Sequence, residues 1–139
     1  MIDRLTILIV DDDPDFVEST GSFLESRGHR VTRARDSDEG IEIARAIHPD
    51  AIVMDVMMKE RTEGFFAIQE IRRIESLSDV PIFAVSAVYT QEPEFDIRPD
   101  AGWLAHDEFF RKPVDLEELA RRIEARTAER FRARESRLS

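Results

Sequence analysis

Short apolar runs that alternate with amphipathic segments constrain the fold of this chain more than any other feature. Residues 5–10 form a continuous, β-rich apolar run, which is typical of a strand buried on both faces of a parallel sheet. Further strands are predicted at residues 30–34, 51–54, 80–85 and 108–111. Strands and helices in strict alternation predict an α/β fold in which helices cover both faces of a parallel sheet.

Capping residues and apolar spacing delimit the helices between these strands. Asp13 and Pro14 are the expected N-cap and first residue of one helix, and Gly28 is its expected C-cap. Later helices are expected to begin near Asp36 and at Asp115. The residues expected on the buried helix faces are Phe16, Thr20, Phe23, Leu24, Ile41, Ala44, Ile47, Phe65, Ile68, Ile71, Ile74, Leu116, Leu119, Ile123, Thr127 and Phe131.

Residues 88–107 interrupt this pattern. The stretch contains Pro93 and Pro99 and has no clean period, so any helix within it is expected to be short or interrupted. The prediction is therefore a three-layer, doubly wound sheet of five parallel strands with an irregular fourth helical region.

The composition argues against several classes of protein. The 139 residues suit one domain, and the formal charge of −10 argues against general nucleic-acid binding, which needs a basic surface. No apolar run approaches the roughly 20 residues that cross a bilayer. The lack of cysteine excludes disulfides and thiolate metal sites. We therefore expect a cytoplasmic protein that makes no direct contact with nucleic acid or membrane.

The C-terminal end differs in charge from the rest of the chain. Residues 121–139 contain seven Arg and three Glu. A solvated helix face, a docking tail and the stub of a linker all remain open explanations of this basic stretch. We expect one domain over residues 1–126 and a basic helical extension or linker stub over residues 127–139.

Polar side chains follow four of the predicted strands at the point where each strand ends. They are Asp11 and Asp12 after the first strand, Asp55 after the third, Ser86 after the fourth and Lys112 after the fifth. Ligands of open α/β sheets bind outside the carboxyl ends of the strands. Each residue alone has a plainer structural explanation as a cap or a solvated charge, but their coincidence at the strand ends predicts a common site.

The chemistry of these groups favours phosphoryl transfer. Three clustered carboxylates repel one another unless a cation is present, and Mg²⁺ prefers such oxygen ligands. No cysteine exists for a zinc site, and His29, His48 and His106 lie in predicted loops or helix ends away from the crevice. A transferring phosphoryl group needs positive charge and hydrogen-bond donors around it, which Mg²⁺, Lys112 and Ser86 would supply. A carboxylate nucleophile would then form an aspartyl phosphate.

Four segments of the sequence resemble a known family. ILIVDDDPDF, AIVMDVMM, PIFAVSA and FFRKP are similar, in order and spacing, to the signature segments of response-regulator receiver domains. The resemblance covers residues 5 to about 125. It implies a flavodoxin-like sheet of strand order 2-1-3-4-5 and a role as a phosphoacceptor in a two-component phosphorelay.

The resemblance also implies roles for individual residues. Asp55 would be the phosphoacceptor, and Asp12 and Asp55 would bind Mg²⁺ directly. Asp11 would hold the metal through water, and the Met57 carbonyl would supply a backbone ligand. Lys112 would pair with the acceptor carboxylate and then with the phosphoryl group, and its bond to the next residue, a proline, would be cis.

Switching and partners follow from the same resemblance. Ser86 would move toward the phosphoryl group, and Phe109 would fill the vacated space, which changes the face made by the fourth helix, fifth strand and last helix. Met57 and Val88 offer no side-chain hydrogen bond to an attacking water, which predicts slow self-dephosphorylation. The implied partners are a sensor histidine kinase or a histidine phosphotransfer protein, and a downstream protein or fused output domain; a homodimer is left open.

Two other functions compete with this one. A degenerate receiver could act as a constitutive protein-interaction module, which the unusual 88–107 segment favours. The other candidate is a Mg²⁺-dependent phosphohydrolase with an Asp nucleophile after strand one. That class resembles D-x-D-x-[TV], which residues 11–15 match poorly, and we expect no cap domain to enclose a substrate. In the leading interpretation, the chain is an enzyme only for its own phosphorylation and dephosphorylation at Asp55.

Overall fold

The computed structural model describes residues 4–56, 63–87 and 107–138, and it divides them between a sheet and its flanking helices. The irregular segment predicted before the fifth strand falls mainly on residues 88–106, outside the described ranges. The strands are β1 (Thr6–Val10), β2 (Arg30–Ala34), β3 (Ala51–Asp55), β4 (Ile82–Ser86) and β5 (Glu108–Arg111). The helices are α1 (Pro14–Ser26), α2 (Ser37–Ile47), α3 (Glu63–Arg73) and α4 (Leu116–Leu138), with a 3₁₀ turn at Glu75–Leu77.

The five strands form one parallel sheet of order β2-β1-β3-β4-β5. This is the predicted order, with β1 at the point where the chain reverses its direction of winding. Parallel pairing brings the carboxyl ends of all five strands to one edge, where the sequence predicts the site.

The side chains of β1 explain why a continuous apolar run was needed. Ile7 and Ile9 pack into the core on one face of the sheet, and Leu8 and Val10 pack into the core on the other. All four are fully buried, because successive side chains of a strand point to opposite faces and helices cover both. Helices α2 and α3 cover the Leu8 face, and α1 and α4 cover the Ile7 face.

The predicted helix N-caps are confirmed. The Asp13 carboxylate accepts hydrogen bonds from two backbone N–H groups of the first turn of α1, and Asp36 accepts one from Glu39 N at the start of α2. Asp115 Oδ1 accepts a hydrogen bond from Glu118 N at the start of α4. The C-cap of α1 is Arg27 and not the predicted Gly28, which is the next residue and has a φ of 96°, a left-handed conformation that glycine adopts without strain.

Two predicted helix faces need correction. Ile47 was expected in the core, but 38% of its surface is exposed. It is the last residue of α2, where the chain turns at His48 in a left-handed conformation and buries Pro49 instead. In α1 the deepest residues include Val17 and Gly21, which the prediction left out, whereas the predicted Phe16 and Phe23 lie only half-buried at the margin of the core.

The last helix continues without a break across the expected boundary after residue 126. Thr127 is buried in it, and Phe131 packs against the core, whereas the side chains of residues 132–136 are exposed. No helix in the described ranges is long and apolar enough to span a bilayer.

Candidate functional site: an acidic cluster beside Lys112

Three carboxylates meet at the carboxyl edge of the sheet. Asp11 and Asp12 follow β1, and Asp55 is the last residue of β3, which lies beside β1. One carboxylate oxygen from each of the three lies within 4.8 Å of the others. Asp11 and Asp55 are buried, whereas Asp12 is partly exposed to solvent.

The three consecutive aspartates at the end of β1 have different tasks. Asp11 N donates a hydrogen bond to Ala34 O on β2, which holds its backbone in the sheet, and Asp11 Oδ1 accepts one from Asp13 N. Asp13 turns away to cap α1. The run therefore places two carboxylates in the cluster and uses the third to start the helix that borders it.

Lys112 reaches the cluster from the end of β5. Its backbone N–H donates to Ser86 O on β4, which continues the pairing of the two strands by one residue. Its ammonium lies 2.7 Å from Asp11 Oδ2, to which it donates a hydrogen bond, and 3.7 Å from Asp55 Oδ2. The peptide bond between Lys112 and Pro113 is cis, as the family resemblance implied.

The surroundings of Lys112 keep its side chain protonated. Burial alone lowers the pKa of a lysine, but the hydrogen bond to Asp11 and the negative charge of Asp55 outweigh it. The pKa of Lys112 is therefore raised above its ordinary value. Its ammonium supplies a fixed positive charge beside the carboxylates of Asp11 and Asp55.

The two predicted switch residues lie on neighbouring strands. Ser86 ends β4 and is buried, one position beyond the residue that pairs with Asp55. Phe109 lies in β5, where it pairs with Ala84 of β4, and it is half-buried against the core on the α2–α3 face of the sheet. Met57 and Val88, to which the sequence assigned a metal contact and a role in dephosphorylation, lie outside the described residues.

The acidic cluster is suited to a hard cation. All of its ligand atoms are carboxylate oxygens, which Mg²⁺ and Ca²⁺ prefer to nitrogen or sulfur. His29 is buried elsewhere, where its Nδ1 accepts a hydrogen bond from Leu5 N and its Nε2 lies 2.8 Å from Glu124 Oε2. His48 ends α2. Both lie away from the cluster, as predicted, and His106 is outside the described ranges.

Two further residues contribute to the site, and the sequence did not reveal their roles. A Cβ atom at Gly64 would overlap Asp55 O and Val56 Cα, so the start of α3 touches the backbone of Asp55. The Lys112 ammonium lies 4.5 Å from the ring centroid of Phe16, which the sequence marked only as a core residue. No local pattern connects Phe16 with Lys112, because the contact joins opposite ends of the chain.

Comparisons with known proteins agree with this geometry. Residues 7–124 match the family described as response regulator receiver domain. The chain is 34% identical to Protein PilH of Pseudomonas aeruginosa over 86% of its own length and 94% of that protein. It is 33% identical to the DNA-binding dual master transcriptional regulator RpaA of Synechocystis over 86% of its length, but it spans only 47% of RpaA.

A solved structure of a related domain has the same fold. The receiver domain of the sensor histidine kinase PA1611 from Pseudomonas aeruginosa, determined with a magnesium ion in its active site cleft, superposes with a TM-score of 0.77. It is 28% identical to this chain, and the match covers 91% of this chain and 99% of that domain. The chain therefore belongs to the response regulator receiver domains of two-component systems.

Proposed function

We propose that Asp55 accepts a phosphoryl group in a Mg²⁺-dependent reaction and that Asp11, Asp12, Asp55 and the Met57 carbonyl bind the metal. The observation that carries this proposal is the position of one ammonium, that of Lys112, beside a cluster of three carboxylates. A phosphoryl acceptor needs an available carboxylate with positive charge around the incoming oxygens.

Asp55 acts as the nucleophile in this reaction. One of its carboxylate oxygens attacks the phosphorus of the donor and forms an O–P bond. With a phosphohistidine donor, the P–N bond breaks and its electron pair goes to the imidazole nitrogen, which takes up a proton. Lys112 remains protonated and binds an oxygen of the transferred group, and Ser86 donates a hydrogen bond to another.

Mg²⁺, when bound, would neutralise part of the negative charge that accumulates on the carboxylates and the phosphoryl oxygens. The all-oxygen donor set supports this choice of metal, as does the magnesium ion in the related PA1611 domain. Asp11 and Asp12 would help to hold the metal beside Asp55, whose carboxylate supplies the attacking oxygen.

Phosphorylation is transmitted through Ser86 and Phe109. Ser86 lies next to the acceptor on β4, and Phe109 lies on β5, half-buried against the core. A shift of Ser86 toward the phosphoryl oxygens frees space for the Phe109 ring, and the outer face of β5 and α4 changes with it. This arrangement supports a switch that acts through protein contacts.

Response regulators act with histidine kinases and output domains, and we assign the same classes of partner to this chain. A sensor histidine kinase or a histidine phosphotransfer protein supplies the phosphoryl group, and a downstream protein or fused output domain receives the signal. The sequence predicted an extension over residues 127–139, but Thr127 and Phe131 pack in the domain, so we assign the role of an extension toward that output to the part of the chain after Phe131. The sequence predicts a cytoplasmic location and is compatible with a homodimer.

Intact mass spectrometry tests the proposal. We expect the wild-type protein, incubated with Mg²⁺ and acetyl phosphate, to gain the mass of one phosphoryl group that hydroxylamine removes. Asp55→Asn should gain none. Asp15→Asn, which removes an exposed carboxylate on α1 near the same edge, should behave as wild type. A wild-type protein without the mass gain would instead favour a constitutive interaction module.

A further inference from the structure

Lys112 has a third neighbour besides its two carboxylates. The ring of Phe16, in the first turn of α1, lies with its centroid 4.5 Å from the Lys112 ammonium. The face of an aromatic ring is negative, and a lysine ammonium within about 6 Å of the centroid is attracted to it. Only 18% of the Lys112 side chain is exposed, so solvent screens this attraction little.

The ring differs from the carboxylates in one physical respect. A cation bound by the acidic cluster weakens the attraction of Asp11 and Asp55 for the ammonium, because it compensates their charge. The ring carries no net charge, and its attraction for the ammonium is unaffected. Phe16 can therefore keep Lys112 in place when its ionic contacts are weakest.

Phe16 is held firmly enough for such a role. The Asp13 carboxylate caps α1 and accepts a hydrogen bond from the backbone N–H of Phe16, 3.4 Å away. The side chain packs against the core of the α1–α4 face together with Val114 and Leu116, which follow Lys112 in the chain. The ring and the lysine are thus fixed by elements that meet at the same edge of the sheet.

We propose that Phe16 is a positioning residue for Lys112 and that its ring face holds the ammonium over the acceptor site during phosphoryl transfer. This proposal rests on the proposed phosphorylation of Asp55. The plainer explanation is that Phe16 only fills the core. Phe23 supplies the comparison, because it lies two turns further along α1 and packs against the same core.

Fluorinated phenylalanines separate the two explanations. Each added fluorine weakens the negative face of the ring with little change in its shape. With one, two and three fluorines at position 16, we expect the rate of phosphorylation by acetyl phosphate at saturating Mg²⁺ to fall stepwise, by about fivefold to tenfold in total. The same series at Phe23 should leave the rate unchanged.

A second measurement requires no metal and no turnover. The ring current of Phe16 should shift the NMR resonances of the Lys112 ε-methylene protons upfield in the metal-free protein. Phe16→Leu should abolish that shift, and Phe23→Leu should preserve it.

The outcomes distinguish this proposal from the one on which it rests. A flat fluorination series at position 16, with Asp55 still phosphorylated, would overturn the role of Phe16 and leave the phosphoacceptor function intact. Wild-type Lys112 methylene resonances without an upfield shift would also overturn it. A wild-type protein that is not phosphorylated, but whose Lys112 resonances are shifted, would refute the phosphoacceptor function instead.

Discussion

The Lys112 ammonium donates its hydrogen bond to Asp11, at 2.7 Å, while the proposed acceptor Asp55 lies 3.7 Å away. Lys112 is therefore the counter-ion of a buried carboxylate that is also a proposed metal ligand. The lysine and a metal ion compete for the same negative charge, because two cations placed near one carboxylate repel each other.

Replacement of Lys112 by methionine tests this competition. We expect Lys112→Met to bind Mg²⁺ several-fold more tightly by isothermal titration calorimetry, because a positive charge beside the cluster is removed. We expect the same variant to be phosphorylated at least tenfold more slowly, because the phosphoryl oxygens lose an ammonium partner.

Arg121→Met is the control for that substitution, since it removes an exposed cation on the surface of α4. It should leave both the affinity for Mg²⁺ and the phosphorylation rate unchanged. A Lys112→Met protein that binds Mg²⁺ more weakly than wild type would contradict the competition between lysine and metal.

Gly64 should not tolerate a side chain. A Cβ at this position would overlap backbone atoms of Asp55 and Val56, which cannot move without displacing the end of β3. We expect Gly64→Ala to lower the free energy of unfolding by about 1–3 kcal/mol in urea titrations and to slow phosphorylation of Asp55. Gly21→Ala is the control, because the three atoms nearest to its Cβ would all belong to the flexible guanidinium group of Arg33. Equal stability of Gly64→Ala and wild type would contradict the predicted overlap.

Arg72 and its neighbour Arg73 should differ sharply in their contribution to stability. Arg72 donates hydrogen bonds to the carbonyl oxygens of Leu77, Ser78 and Val80, and its Nη2 lies 2.8 Å from Asp107 Oδ2. We expect Arg72→Met to cost about 3 kcal/mol of unfolding free energy, because it leaves part-buried acceptors without their donor.

Arg73 is largely exposed and contacts Glu70 on the same helix. Arg73→Met should change the unfolding free energy by less than about 0.5 kcal/mol. The stabilities of the two variants are compared by their midpoints of urea unfolding, measured at one pH. Similar midpoints would refute a stabilising role for the hydrogen bonds of Arg72 to the segment after α3 and to Asp107.

Glu108 should make the stability of the protein depend on pH. Burial raises the pKa of this carboxyl, but hydrogen bonds from Arg122 and Arg126 outweigh that effect and hold the pKa below its ordinary value of 4.5. The stabilisation is therefore present above pH 4.5, where the unfolded chain is also ionised, and is lost as the pH falls through the depressed pKa.

We expect Glu108→Gln to be less stable than wild type at pH 7 by about 1 kcal/mol, with the difference shrinking in acid. Thermal unfolding of both proteins at a series of pH values measures this difference in stability. Glu42→Gln, which removes an exposed carboxylate on α2, should parallel wild type at every pH. A Glu108→Gln difference that stays constant down to low pH would argue against an ionic contribution.

Local signals in the sequence predicted much of the fold because they act over a few residues. The strands at residues 30–34 and 108–111 have the predicted bounds, and Asp13, Asp36 and Asp115 cap their helices as predicted. Capping and apolar spacing concern one turn or one strand at a time. The exposed Ile47 shows the limit of such local signals. Its helical spacing predicts a buried side chain, but the spacing does not reveal that the chain turns away at His48.

The sequence by itself determined which groups reach the active edge, because parallel strands carry the residues that follow them to a common side. Only the tertiary structure decided how those groups meet: the preference of Lys112 for Asp11, the ring of Phe16 beside the ammonium, and the contact of Gly64 with the acceptor backbone. These relations depend on distances between segments far apart in the chain. Such distances are set by the packing of helices on the sheet, which no local pattern encodes.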